Sequence, residues 1–254
     1  MTTLAIYSNK GGVGKTAAAV NLAYLAALAG RTTLICDLDP LSATTYYLRI
    51  KPKVKRQARG FTKAGKAIGD SIKGTDYANL DLLPADFTHR NLDIVFDRLK
   101  HPRQRLSRVL KPFEQEYDLI VLDCPPTINI LAENIFTAAD YLLIPLIPTT
   151  LSLRAYDQMI SFLRENHYTL ERVYVFLSMV DKRKKMHRET CVMIHNTWDR
   201  VLNNAIPYLS DIEQMGLTRE PVVVYAQKSA AAKAYRDLWS EVEQVVLNKQ
   251  STMK

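Results

Sequence analysis

The strongest constraint on this chain is Lys10-Gly11-Gly12-Val13-Gly14-Lys15-Thr16, set between the apolar run Leu4–Tyr7 and the Ala-rich run Thr16–Ala29. Glycines at 11, 12 and 14 let the backbone turn its N–H groups inward, where side chains would obstruct a bound anion. Lys15 is placed to reach the outer phosphates of a nucleotide, and the Thr16 hydroxyl to ligate Mg²⁺. The helix that begins here brings the positive end of its dipole to the same point. Strand, Gly-Lys-Thr loop and helix in this order make a phosphate-binding loop, or P-loop. Such a loop requires a strand end that opens into a helix start.

The rest of the chain supplies the matching sheet. Short apolar runs at Leu4–Tyr7, Thr32–Cys36, Leu80–Leu83, Leu119–Leu122, Tyr141–Ile144, Val173–Met179 and Val222–Tyr225 lack the alternation of half-exposed strands. They read as strands buried on both faces, with helical patterns between them. The first helix is expected to stop at Gly30. Together these predict an α/β fold of the P-loop NTPase type: a mostly parallel, twisted sheet with helices on both faces, ligands gathering at the carboxyl ends of the strands. Residues 1–254 read as one domain, with no linker, no repeat and no separate N-terminal helix-turn-helix module. In the last segment, Tyr235, Leu238, Trp239, Val242 and Val246 form one stripe, while Arg236, Asp237, Glu241 and Glu243 lie off it. Acids mixed with bases on the polar side point to a helix packed on the core rather than on a lipid surface.

Two further acidic segments belong to the loop's chemistry. Asp37-Leu38-Asp39-Pro40 ends the second strand, where a parallel sheet brings it beside the P-loop. Asp39 is placed to hold a Mg²⁺-bound water or orient an attacking one; Asp37 either acts with it or hydrogen-bonds the loop. Tyr117-Asp118-Leu119-Ile120-Val121-Leu122-Asp123-Cys124-Pro125-Pro126 is an apolar strand ending in an acid, which sets Asp123 as a metal residue. The prolines then stiffen the turn. Cys124 reads as a small buried residue; with Cys36 and Cys191 it makes three scattered cysteines without metal-ligand spacing, consistent with reduced thiols.

Charge is informative because its excess is local. The chain carries 34 Lys and Arg against 26 Asp and Glu. Arg49, Lys51, Lys53, Lys55, Arg56, Arg59, Lys63 and Lys66 form one acid-free run; Lys182, Arg183, Lys184, Lys185 and Arg188 form another. Without those 13 bases the balance turns acidic. A third run, from Arg98 to Lys111, adds six more bases. Local positive patches favour a polyanion, nucleic acid before anionic membrane. No apolar run approaches the roughly 18–20 residues that span a bilayer. With a strand starting at Leu4, no secretory signal is expected.

The loop, the Asp37–Pro40 segment and the Asp123 segment together resemble the ParA/MinD family of deviant Walker ATPases, and the similarity runs over nearly the whole chain. Its distinguishing mark is Lys10, a second lysine at the head of the loop. The resemblance implies that Lys10 crosses a nucleotide-sandwich homodimer to act on the partner's phosphates. It implies a nucleotide site on Gly11, Gly12, Val13, Gly14, Lys15, Thr16 and Ala17, with Pro207 shaping the adenine pocket. Catalytic roles fall on Lys10, Lys15, Asp39 and Asp37, and metal roles on Thr16, Asp123 and Asp39. Two positions depart from the family pattern: Ser178 stands where an adenine-contacting asparagine is common, and Ala17 where a second hydroxyl residue is usual.

Among the family's branches, the ParA-like partition and cargo-positioning ATPases match best. The resemblance implies ATP and Mg²⁺ as cofactors, sequence-independent DNA binding through Lys182, Arg183, Lys184, Lys185 and Arg188, and a ParB-like or cargo-associated adaptor that stimulates hydrolysis. It also implies a cytoplasmic, nucleoid-associated protein without stable membrane insertion. The run from Arg49 to Lys66 is left open between DNA, a protein partner and solvent. The alternatives are a MinD-like membrane-associated ATPase, for which Lys249–Lys254 lacks the basic amphipathic tail, and an ATP-dependent metabolic ligase on the same scaffold.

Overall fold

The apolar runs pair into one seven-stranded sheet in a computed structural model that describes residues 1–51, 61 and 66–247. The strands are β1 Thr2–Ile6, β2 Thr33–Asp37, β3 Lys73–Gly74, β4 Leu80–Leu83, β5 Leu119–Asp123, β6 Tyr141–Leu146 and β7 Val173–Leu177. Their spatial order is β3-β4-β2-β5-β1-β6-β7, parallel throughout except for the antiparallel β3 on β4. Alternate residues face opposite sides, and both sides are filled. Leu4 and Ile6 pack with one apolar cluster, Ala5 and Tyr7 with the other; Leu119 and Val121 against Ile120 and Leu122 repeat the division. That is why the strands lack polar alternation.

The helix α1, Lys15–Leu28, covers one face together with the helix Ala230–Glu241. Tyr235, Leu238, Trp239, Val242 and Val246 are buried there, so the C-terminal stripe packs on the core as expected. On the other face lie the helices Ile130–Ala138 and Thr150–Glu165, with Phe96, Phe136 and Met159 among the buried side chains.

Gly30 ends α1 at φ 88°, with its own N–H donated to the Ala27 carbonyl and the Arg31 N–H to that of Ala26, both in the last turn. A Cβ at Gly30 would meet nothing within 4 Å. Gly30→Ala is therefore expected to cost only the left-handed backbone penalty, about 1–2 kcal/mol. A melting point lowered by a few degrees, with no loss of ligand binding, is the outcome to check by calorimetry.

Two expectations need correction. Val222–Tyr225 is one turn of helix and not a strand. A four-residue apolar run carries no usable period, and here Pro221 precedes the turn while the Val223 N–H donates to Asn21 Oδ1 on α1. Strand β7 stops at Leu177, and Met179 adopts φ 54°, which turns the chain out of the sheet. The basic residues Lys53, Lys55, Arg56, Arg59 and Lys63 lie outside the described residues, as does the tail from Lys249 to Lys254.

Candidate nucleotide and metal site

The carboxyl ends of β1, β5 and β2 lie side by side, because Ile6 is in register with Asp123 and Asp123 with Asp37. The loop leaving β1 therefore emerges beside both acids. Gly12 and Gly14 take φ 70° and 88°, conformations that suit glycine. Gly14 caps α1, and a Cβ there would sit 3.1 Å from Ser178 Oγ. Ser178 donates its hydroxyl to the Val13 carbonyl at 2.8 Å, so it braces the loop from beneath. Gly11 and Gly12 are exposed while Val13 is buried. Thr16 and Ala17 are half-buried in the first turn of α1.

Lys15 is 7% exposed, and its ammonium donates to the Lys10 carbonyl at 3.2 Å. Burial pushes it below the usual lysine range, against the opposing pull of Asp123, Cys124 and Asp39. A buried cation aimed across a glycine loop fits an anionic ligand. The Lys10 ammonium turns the other way: it donates to Ser152 Oγ at 2.8 Å, in the first turn of the helix Thr150–Glu165. Asn9 holds the same helix through the Ala155 carbonyl.

Asp123 is fully buried. Its Oδ2 accepts the Thr44 hydroxyl at 2.7 Å, while its Oδ1 meets no partner of good geometry. Burial raises its carboxyl, with the Thr44 and Thr16 hydroxyls pulling the other way. An orphaned buried carboxylate oxygen near the Thr16 hydroxyl is the donor set a hard cation requires, so the residues fit Mg²⁺.

Asp37 differs. Its Oδ2 accepts both the N–H and the hydroxyl of Thr45, and its Oδ1 accepts the Asp39 N–H. Burial and the neighbouring Asp123 raise its carboxyl. Both Asp37 oxygens thus accept hydrogen bonds from the Asp39–Thr45 segment. Asp39 is half-buried, with Oδ1 accepting the Leu41 N–H. Pro207 lines a cavity of about 30 Å³ with Gly14, Ser178, Met179, Tyr208 and Tyr235, so it does adjoin the loop. Thr44, Thr45 and Ser152 were missed in the sequence because nothing local marks them.

The family model of an AAA domain (AAA_31) matches residues 1–176. Over 245 residues the chain is 30% identical to the sporulation initiation inhibitor protein Soj of Bacillus subtilis, covering 94% of this chain and 97% of Soj. It is 29% identical over 250 residues to the chromosome partitioning protein ParA of Caulobacter vibrioides, covering 95% of this chain and 94% of that one. The chain belongs to the ParA family of P-loop ATPases. The fold is shared more widely. Cobyrinic acid a,c-diamide synthase from Mycobacterium smegmatis, solved with an ATP analogue and magnesium, superposes with a TM-score of 0.80 at 24% identity, over 96% of this chain and 94% of the synthase. That likeness is one of fold, and a shared fold does not by itself fix a shared function.

The basic run of this ParA-family chain opens the helix Lys185–Thr197. All five side chains are exposed, but they are not equivalent. Arg183 forks onto Asp181 through Nε and Nη2, each at 2.9 Å, and holds that carboxyl down at about 2. Arg188 Nη1 donates to the carbonyls of Lys182 and Arg183, and Lys185 lies 3.6 Å from Glu189. Lys182 and Lys184 have no ion pair among the described residues. A cavity of about 550 Å³ beside the run is lined by Lys182, Arg188 and Lys233 above an apolar floor that includes Leu177 and Val180. Among the described residues, no helix is long and apolar enough to cross a membrane.

Proposed function

We propose that this ParA-family ATPase binds ATP with Mg²⁺, pairs with a second copy across the nucleotide, and grips DNA without sequence preference until a partner protein stimulates hydrolysis. Lys10 is the observation that carries this reading. Its ammonium is bonded to Ser152, away from its own cradle, and Lys15 already serves that cradle. A cation surplus to its own loop suits service to another copy's phosphates, as an arginine finger does.

The chemistry follows from the residues in place. The glycine loop and Lys15 bind and orient the phosphates. Thr16 and Asp123 would hold the metal, which when bound offsets charge on the phosphate oxygens. Asp39 orients the attacking water, and Asp37 holds the Asp39 loop in shape. Lys10 from the second copy meets charge that develops in the transition state, where a preplaced cation is worth most. Pro207 adjoins the base, while Ser178 acts through the loop. The chromosome-partitioning role of the related ParA supports a cargo-moving cycle, in which the adaptor is ParB-like or belongs to the cargo.

Lys182, Lys184 and Arg188 are proposed as the phosphate contacts, since Arg183 is already neutralised by Asp181. Two or three contacts on each of two copies predict that affinity for random-sequence duplex falls about 10²–10³-fold between 50 and 200 mM salt. Fluorescence anisotropy should show this binding with ATP and not with ADP, and Lys182→Ala with Lys184→Ala should flatten the salt slope. Equal binding with ADP or without nucleotide would overturn the switch.

A further inference from the structure

The parallel register of β2 and β5 places Asp37 and Asp123 side by side at the strand ends, both fully buried. Two adjacent carboxylates in an apolar setting repel each other and lose hydration, so something must divide their roles. The dividers are two consecutive threonines on α2, Ala43–Tyr47, the short helix that follows the Asp39 loop. Thr44 is fully buried and Thr45 nearly so, and each donates its hydroxyl to a different acid at 2.7 Å. Thr45 also donates its N–H to Asp37 and accepts the Ala85 N–H at 2.9 Å, which anchors it to the chain after β4. Both Asp37 oxygens are then filled from within the protein. Asp123 accepts Thr44 on Oδ2 and feels the nearby Thr16 hydroxyl, while its Oδ1 has no hydrogen bond of good geometry from the protein.

We propose that Thr44 is a positioning residue for the metal: it fixes Asp123 through Oδ2 and leaves Oδ1 as the one oxygen of the acid pair open to a cation or its bound water. Thr45 meanwhile withdraws Asp37 from that role. Because Thr44 stands five residues after Asp39, the same short segment carries both the water-orienting acid and the hydroxyl that sets the metal's acid. Any movement of α2 is therefore felt at the metal carboxylate. Groups that orient a metal-binding side chain typically change metal affinity about 10–100-fold when removed.

This inference rests on the proposed Mg²⁺-nucleotide site, and the test separates the two. Fluorescent mant-ADP is bound to the full chain and titrated with Mg²⁺, so that neither hydrolysis nor pairing of copies enters the readout. Thr44→Val should raise the Mg²⁺ concentration for half-maximal effect about tenfold. Its mant-ADP affinity in EDTA should match wild type, and Thr44→Ser should restore the wild-type titration. Should Thr44→Val fail to fold, Thr44→Ala takes its place with the same expectation. A wild-type response to Mg²⁺ that Thr44→Val reproduces unchanged would sink the Thr44 role alone. That role fails equally if Thr44→Ser is as impaired as Thr44→Val. Wild-type protein whose mant-ADP binding ignores Mg²⁺ would overturn the proposed metal site, and the Thr44 role with it.

Discussion

Lys10→Ala is expected to leave ADP binding within about twofold and to lower stimulated ATP turnover at least a hundredfold, by analogy with a finger residue supplied in trans. The split follows from where the side chain points. The Lys10 carbonyl, which the alanine retains, accepts the Lys15 ammonium, so the cradle keeps its shape. The Lys10 ammonium lies on Ser152, turned away from its own phosphate loop. Steady-state turnover with DNA and the adaptor, set beside mant-ADP affinity, reads both halves. Mixing then decides whether the action is in trans. Asp39→Ala should be inactive alone, yet it still carries Lys10. Added to Lys10→Ala, it should restore part of the turnover, because a mixed pair owns one complete site. A mixture as inactive as its components would return Lys10 to its own loop.

Asp123→Asn should trade function against stability. Without metal, Asp123 is a fully buried acid with one oxygen unpaired and Asp37 as its register neighbour. Asparagine keeps an acceptor for Thr44 and removes the charge, so the nucleotide-free protein should gain about 1–3 kcal/mol near neutral pH. The sign follows from linkage. Burial raises the carboxyl in the folded state, so the folded chain holds its proton more tightly than the unfolded one. Stability is then complete below the ordinary carboxyl range and is lost as pH climbs toward the raised folded value. Denaturant melts in EDTA should show wild type weakening over that climb and Asp123→Asn weakening less. Mg²⁺-dependent turnover should fall at least a hundredfold, since the hard-cation oxygen is gone. An Asn variant that is both less stable and still active would refute the reading of Asp123.

The glycine loop, the buried strands and the placement of Asp123 at a strand end beside that loop were legible because each is written in contiguous residues. A loop that must bend needs glycine, and a strand covered twice needs unbroken apolar sequence. Val222–Tyr225 misled for the converse reason: four apolar residues after a proline satisfy one helical turn as well as a strand. The edge pair β3 escaped notice because Lys73 and Gly74 have no strand character. Thr44 and Thr45 could not be singled out from sequence, since their meaning comes from the register of β2 with β5. The basic run is itself acid-free, yet Asp181 stands just before it and takes up Arg183. Composition counts charges; only geometry says which remain unspent.

The sheet's borders limit how two copies can meet. On one side, β4 is closed by the two-residue strand β3, too short to template another chain. On the other, the outer rim of β7 is already occupied: Val175 and Leu177 exchange backbone hydrogen bonds with Arg200, Leu202 and Ile206, and Val180 with Ile206 and Tyr208. Among the described residues neither rim offers a long free ladder, so the sheet is poorly suited to being lengthened by a second copy. Assembly is left to surfaces made of loops and side chains, which ligands can alter from one moment to the next. A pairing of that kind can be made and undone without disturbing the fold beneath it.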